Sequence, residues 1–218
     1  WSSGIRPYRR CRGDYWPLGA GMGMAVGMAI AEAHLSAVFN RPGYDVVDHY
    51  TFVLGGDGCL MEGISSEAFS LAGTLKLNKL IVLYDSNRIS IEAALILPLP
   101  KMWQADGAFG FQVLTVEDGN DVDAIRQAIQ QAKADKERPS FIVVKTQIGQ
   151  GCPAKQGTAA AHGEPLGEQN IQEMKKGFDW PSVEPFFVPE EIYAHYQTLT
   201  ADSAAEEARW NEMMERTR

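Results

Sequence analysis

The chain has 218 residues, a length that corresponds to one large domain or to one and a half. A hydrophobic content of 45% is ample for a buried core, and a formal net charge of −8 argues against nucleic acid as the main partner. The three cysteines, Cys11, Cys59 and Cys152, are odd in number and far apart. We interpret them as reduced thiols of a cytoplasmic protein, not as disulfides or zinc ligands.

The first element in chain order is a long apolar helix. Residues 1–16 are irregular and rich in arginine, and the helix is predicted from Leu18 to Phe39. Its hydrophobicity suggests a membrane span, but Glu32 and His34 interrupt it. Glycines recur every four positions along it and allow close backbone approach: Gly19, Gly23 and Gly27. The pattern favours a buried helix of a soluble protein, with no membrane involved.

A strand-helix-strand unit is predicted at the centre of the chain. Residues 50–54 and 80–84 are short apolar runs typical of buried strands, and residues 61–75 between them indicate a helix. Such a unit crosses over right-handed and places its two strands side by side in a parallel sheet. The sequence therefore predicts an α/β fold.

Polar residues follow both of these strands. Asp57, within Gly56-Asp57-Gly58, follows the first strand, and Asn87 follows the second thirty positions later. Because parallel strands end at the same edge, both side chains should emerge at the carboxyl edge, where open α/β sheets bind ligands. A carboxylate beside an amide oxygen, with glycines that let a backbone N–H approach, suits a hard cation carrying a diphosphate.

Further elements are predicted towards the carboxyl terminus. Asp121 is a good N-cap for a helix with an apolar face, formed by Val122, Ile125, Ile129 and Ala132. The other predictions are strands over 111–116 and 141–146, a glycine-rich loop over 149–167, and helices over 190–199 and 203–214.

Longer strings of the sequence resemble a known family. The Asp57 to Asn87 spacing resembles the thiamine-diphosphate motif, and residues 56–73, GDGCLMEGISSEAFSLAG, resemble transketolase. The resemblance runs from Pro17 to Glu92 and again from Phe109 to about Met214. It implies the thiamine-diphosphate-binding fold, a parallel sheet with helices on both faces, with a diphosphate-binding domain over 17–180 and an acidic helical tail over 181–218.

Transketolase moves a two-carbon ketol unit from a ketose phosphate to an aldose phosphate, using thiamine diphosphate and a divalent metal. The resemblance implies Mg²⁺ or Ca²⁺ as the metal. The implied ligands are the side chains of Asp57 and Asn87 and the backbone carbonyl of Ile89. The implied cofactor contacts are Pro17, Leu18, Gly58, Asn87 and His162.

Catalytic roles are implied for three residues. His162, within HGEPLG, matches a histidine that contacts the diphosphate and the sugar substrate. Glu62 and Glu67 match positions at the dimer interface, near the glutamate that activates the cofactor on the partner domain. Adjacent carboxylates in that place would share protons.

The chain also departs from the family. Arg88 replaces an expected glycine, Trp16 replaces another, and residues 93–108 are apolar where the family is polar. This block and residues 1–16 end abruptly, which suggests translation in a shifted frame. Peptides of the printed sequence found by mass mapping of 93–108 would refute that hypothesis.

Only the diphosphate-binding part of a transketolase is covered by the resemblance. We therefore expect sugar phosphates as substrates, and a homodimer or a complementary chain with the pyrimidine-binding domain. Two alternatives stay open. One is a sister thiamine enzyme, such as dihydroxyacetone synthase, deoxyxylulose-phosphate synthase or half of a pyruvate dehydrogenase. The other is an inactive fragment or split subunit. The strings GISSEAFSLAGTLKL and HGEPLGE favour transketolase over the sister enzymes.

Overall fold

The computed structural model describes residues 19–89 and 107–216. Its strands are β1 (Thr51–Gly56), β2 (Leu80–Ser86), β3 (Gln112–Val116) and β4 (Ser140–Lys145). All neighbouring strands pair in parallel, in the order β1-β2-β4-β3. The predicted parallel α/β fold is confirmed.

Helices cover both faces of this sheet. The helices of the described residues are α1 (Ala20–Phe39), α2 (Asp57–Met61), α3 (Gly63–Thr74), α4 (Val122–Ala134), α5 (Ala160–Gly163), α6 (Glu168–Gly177) and α7 (Glu190–Glu215). Of these, α1 packs on one face of the sheet and α4 on the other. Side chains alternate between the faces along each strand. In β2, Leu80, Val82 and Tyr84 belong to the core cluster shared with α1 and α3, whereas Ile81 belongs to the cluster shared with α4.

The strand order places a topological switch at the centre of the sheet. The β1-α3-β2 unit runs inwards from one edge and the β3-α4-β4 unit runs inwards from the other, with their helices on opposite faces. The segments that leave β2 and β4 therefore start side by side at the carboxyl edge. Ligands bind at such a point in open α/β sheets.

Two predicted helices have different bounds in the structure. The helix predicted over 61–75 is broken at Glu62, whose backbone is extended (φ −73°, ψ 136°). Ser65 joins the two pieces, because its hydroxyl donates to the Cys59 carbonyl at 2.6 Å. The two helices predicted in the tail are one 26-residue helix, α7. No glycine or proline interrupts residues 190–215, so nothing stops the helix between the two apolar stretches.

The apolar face of α4 is also shifted from its predicted position. Asp121 caps this helix as predicted, accepting from the Ala124 N–H at 2.9 Å. Val122, however, is 64% exposed, because the buried stripe centres on Ala128 and Ala132.

The helix α1 is long and apolar enough to cross a membrane by length and composition, and it alone passes that test within 19–89 and 107–216. In the structure one face of it packs on the sheet, with Met22, Val26 and Ala29 buried. Glu32, 3% exposed, is paired with Lys79 at 2.6 Å. One flank of the helix is therefore packed into the core of its own domain, as predicted. The opposite flank exposes Met24 and Met28, and the close backbone approach predicted at Gly27 is not observed, because a Cβ there would meet nothing within 4 Å.

The close approach of α3 to the 3-10 turn at Ala108–Gly110 gives a stability prediction. A Cβ at Gly73 would overlap the backbone carbonyl oxygen of Phe109. Gly73→Ala should therefore lower the free energy of unfolding by about 1–3 kcal/mol. The control is Gly27→Ala in α1, where a Cβ meets nothing within 4 Å and should stabilise by up to about 1 kcal/mol. Urea unfolding measures both, and equal stability of the two variants would contradict the prediction.

Candidate active site

Asp57 begins α2 at the carboxyl end of β1 and is 4% exposed. Each of its carboxylate oxygens accepts a hydrogen bond, one from β2 and one from the turn that follows β2. The Tyr84 hydroxyl donates to Oδ1 at 2.5 Å, and the backbone N–H of Arg88 donates to Oδ2 at 3.2 Å. The turn that contains Asn87 is therefore held directly against the Asp57 side chain.

Burial controls the electrostatics of this pair. Desolvation raises the pKa of the Asp57 carboxyl, and the bonds from Tyr84 and Arg88 oppose that rise without cancelling it. Burial and the bond to Asp57 also raise the pKa of the Tyr84 hydroxyl, which stays protonated and acts as a donor. The ionised carboxylate is thus poorly solvated, and an adjacent cation would stabilise it.

Asn87 and Ile89 form a tight turn after β2. The Asn87 Oδ1 accepts from the Ile89 N–H at 2.9 Å, and the Asn87 Nδ2 lies 3.5 Å from Asp85 Oδ2. Asp85 also accepts a hydrogen bond from the Thr146 hydroxyl, just past the end of β4. The ends of β2 and β4 are therefore connected by side chains at the switch point.

The residues present fit a hard cation. Asp57 offers a carboxylate, Asn87 an amide oxygen and Ile89 a backbone carbonyl. Mg²⁺ and Ca²⁺ prefer such oxygen ligands, whereas zinc prefers Cys and His. Across the part of the chain that the structure describes, no three His, Cys, Asp or Glu residues cluster so as to hold a metal. The predicted set has only one such residue and relies on amide, carbonyl and diphosphate oxygens for the rest.

The structure explains why a glycine is expected where this chain has Arg88. Arg88 has a φ of 61°, in the left-handed region that glycine adopts freely. A non-glycine residue there costs on the order of 1 kcal/mol. In this left-handed conformation the Arg88 N–H donates to Asp57. Arginine in place of the expected glycine therefore keeps the contact despite the conformational cost.

His162 lies in α5, within the long segment that follows β4, and its side chain is exposed. Among the described residues its imidazole has no hydrogen-bond or ion-pair partner. The surrounding loop is nevertheless held together. The Gly157 N–H donates to the Ile148 carbonyl at 2.8 Å, and Lys155 Nζ donates to the Pro165 carbonyl at 2.8 Å. His162 therefore projects from an ordered loop.

The two glutamates predicted to act together do not share a helix. Glu62 is the half-buried residue at the break before α3, and Glu67 is exposed within α3. A spacing of five residues also directs helical side chains apart. Gly58 is the second residue of α2, next to Asp57. Pro17 and Leu18 lie outside the described residues, so their predicted cofactor contacts remain predictions.

Sequence reasoning missed three side chains of this network: Tyr84, Asp85 and Thr146. Tyr84 is the last residue of the predicted apolar run 80–84, and a buried tyrosine hydroxyl usually has a hydrogen-bond partner, which was the available signal. The bond between Asp85 and Thr146 depends on the β2–β4 pairing. Only knowledge of the strand order could have indicated it.

Fold and site together define an α/β domain with a candidate cation and diphosphate site at its topological switch. The family described as "Transketolase, thiamine diphosphate binding domain" matches residues 14–218. The chain belongs to that family. The match spans the apolar block at 93–108, and the domain boundaries predicted within it remain predictions.

Individual relatives agree with this assignment. The chain is 51% identical over 200 residues to a transketolase of Geobacillus stearothermophilus and 48% identical over 202 residues to transketolase 1 of Escherichia coli. A transketolase structure from Leishmania mexicana superposes with a TM-score of 0.86 at 46% identity, covering 92% of this chain and 30% of that one. The two sequence matches cover 91% and 90% of this chain but only 30% and 29% of the relatives' length.

Proposed function

We propose that this chain forms the metal and diphosphate half of a transketolase active site. The reaction transfers a two-carbon ketol unit from a ketose phosphate to an aldose phosphate. The contact between Asp57 and the Arg88 N–H carries the proposal, because it joins the ends of β1 and β2 into one oxygen-rich site. The family membership and the transketolase relatives support this reaction over those of the sister thiamine enzymes.

Five of the predicted residues bind the metal or the cofactor in this proposal. Asp57, Asn87 and the Ile89 carbonyl hold Mg²⁺ or Ca²⁺, which binds the diphosphate oxygens. Gly58 leaves its backbone N–H open to the diphosphate. His162 contacts the diphosphate and the sugar phosphate from its loop after β4. When bound, thiamine diphosphate supplies the carbanion chemistry, and the residues of this chain bind and orient it.

Binding tests the proposal directly. Isothermal calorimetry of thiamine diphosphate added to the purified chain should give a binding signal with Mg²⁺ and none with EDTA. The expected affinity is weak, because half of the cofactor lacks contacts. Equal binding with and without a divalent cation would overturn the metal role of this site.

A partner domain is part of the proposal. The chain spans less than a third of its relatives' length, and in this proposal a separate pyrimidine-binding domain completes the site from across the subunit contact. We assign Glu62 and Glu67 to that contact, together with α1, whose outer flank exposes Met24 and Met28. The working compartment in this proposal is the cytoplasm.

Sedimentation velocity tests the contact surface in the isolated chain. We expect concentration-dependent association, because apolar side chains on α1 and α3 are open to solvent: Met24, Met28, Ile64 and Leu71. Glu67→Arg reverses a charge on the same surface and should weaken the association. Glu191→Arg on α7 is the control. A chain that stays monomeric at high concentration would count against this surface.

A second candidate is a split or inactive subunit that folds but turns nothing over alone. Reconstitution with a separately expressed pyrimidine-binding half distinguishes a split subunit from an inactive one. Ketol transfer restored by mixing indicates a split enzyme, and its absence indicates an inactive one.

A further inference from the structure

Tyr84 is a core residue whose hydroxyl reaches the proposed metal site. Its ring is 2% exposed and lies 5.8 Å from the ring of Phe141, centroid to centroid. It sits opposite Gly55 of β1 and Val143 of β4, in the middle of the sheet. From there the hydroxyl donates to Asp57 Oδ1 at 2.5 Å.

We propose that Tyr84 is a positioning residue that fixes the Asp57 carboxylate for metal binding, an inference that rests on the proposed function. The Tyr84 hydroxyl holds one carboxylate oxygen and the Arg88 N–H holds the other. These two bonds set the rotation of the carboxylate plane. A carboxylate oxygen accepts more than one bond, so each keeps a lone pair for a cation.

Burial makes the hydroxyl hard to replace. Asp57 and Tyr84 are 4% and 2% exposed, so water has little access to substitute for a lost donor. Ser86, two residues further along the strand, is also buried. The Tyr84 hydroxyl thus lies behind the proposed metal ligand as a buried donor. Partners of this kind behind a metal ligand typically contribute about 10–100-fold in metal affinity.

Tyr84→Phe removes the hydroxyl and keeps the ring in the core. Mg²⁺ is titrated calorimetrically into the full chain in the presence of thiamine diphosphate. We expect the Mg²⁺ affinity of the variant to fall about 10–100-fold. Excess Mg²⁺ should restore its thiamine diphosphate affinity, which a merely loosened core would not allow. The matched control is Tyr50→Phe, at the opposite end of the sheet, where the hydroxyl contacts Lys136 Nζ at 3.1 Å. Its Mg²⁺ affinity should not change.

The outcomes separate this inference from the function it rests on. No Mg²⁺ uptake by the unsubstituted chain would overturn both. Uptake that is equal in the unsubstituted chain and in Tyr84→Phe would overturn the role of Tyr84 alone. If Tyr84→Phe does not fold, Tyr84→Met, which also removes the hydroxyl and keeps an apolar side chain in the core, should weaken Mg²⁺ binding in the same direction. Unchanged affinity in that folded variant would overturn the positioning role.

Discussion

Asp57→Ala is expected to abolish metal-dependent binding of thiamine diphosphate. Asp57 is the only carboxylate among the proposed ligands, and it sits where β1, β2 and the Arg88 turn meet. Its loss leaves an amide oxygen and a backbone carbonyl. Neither carries a charge, so they cannot hold Mg²⁺ in competition with water. The affinity should fall at least about a hundredfold, or roughly 2.7 kcal/mol. Calorimetry with Mg²⁺ present measures the change.

The control for this substitution is Asp123→Ala. Asp123 is an exposed residue of α4 whose side chain pairs with Arg126 one turn away. Its removal should leave cofactor affinity unchanged and cost little stability. Full cofactor affinity in Asp57→Ala, with both variants folded by circular dichroism, would show that the ligand assignment is wrong.

The metal-free protein offers an independent readout of Asp57. Its folded-state pKa is raised, so the folded chain holds the proton more tightly than the unfolded chain does. The free energy of unfolding should therefore decline as the pH rises from the ordinary carboxyl pKa through the raised one. Asp57→Ala should lack that decline, although it also leaves Tyr84 without its acceptor. Added Mg²⁺ and cofactor should offset the decline in the unsubstituted chain.

Much of the site could be predicted from local sequence, because each part depends on a short pattern. The apolar runs before Asp57 and Asn87 are long enough for buried strands, and the stretch between them fits one crossover. Parallel pairing then brings the two polar residues to the same edge. The observed register, with Gly56 opposite Asp85, places them as this reasoning requires.

Features that depend on tertiary contacts could not be predicted from local sequence. The bend at Glu62 arises where a helix leaving the sheet edge has to turn along the sheet, and the local sequence favours a helix on both sides of it. The exposed position of Val122 follows from where α4 crosses the sheet, since periodicity predicts a stripe but not where that stripe is centred. The network of Asp85 with Thr146 spans 61 positions and exists only because β4 lies beside β2.

Ketol transfer is expected to be absent from the isolated chain. Transketolase chemistry needs two anchors on the cofactor: a clamp for the metal and diphosphate, and a pocket in which a glutamate protonates the pyrimidine ring. This chain provides the candidates for the first anchor, and its resemblance to transketolase covers only the diphosphate-binding part. Without pyrimidine contacts the cofactor should bind at least roughly a hundredfold more weakly than in a whole transketolase, at about 1.4 kcal/mol for each tenfold loss.

Turnover by the purified chain is the measurement that decides this last prediction. The assay contains saturating thiamine diphosphate and Mg²⁺, a ketose phosphate donor and an aldose phosphate acceptor. We expect the rate without enzyme, because saturating cofactor fills the diphosphate site but does not provide the missing acid. Addition of a pyrimidine-binding half should raise the rate, and the same half mixed with Asp57→Ala should not, since both anchors are needed at once. Turnover by the chain alone would mean that the catalytic acid lies within these 218 residues. Glu62, half-buried at the end of α2, would then be the first residue to substitute.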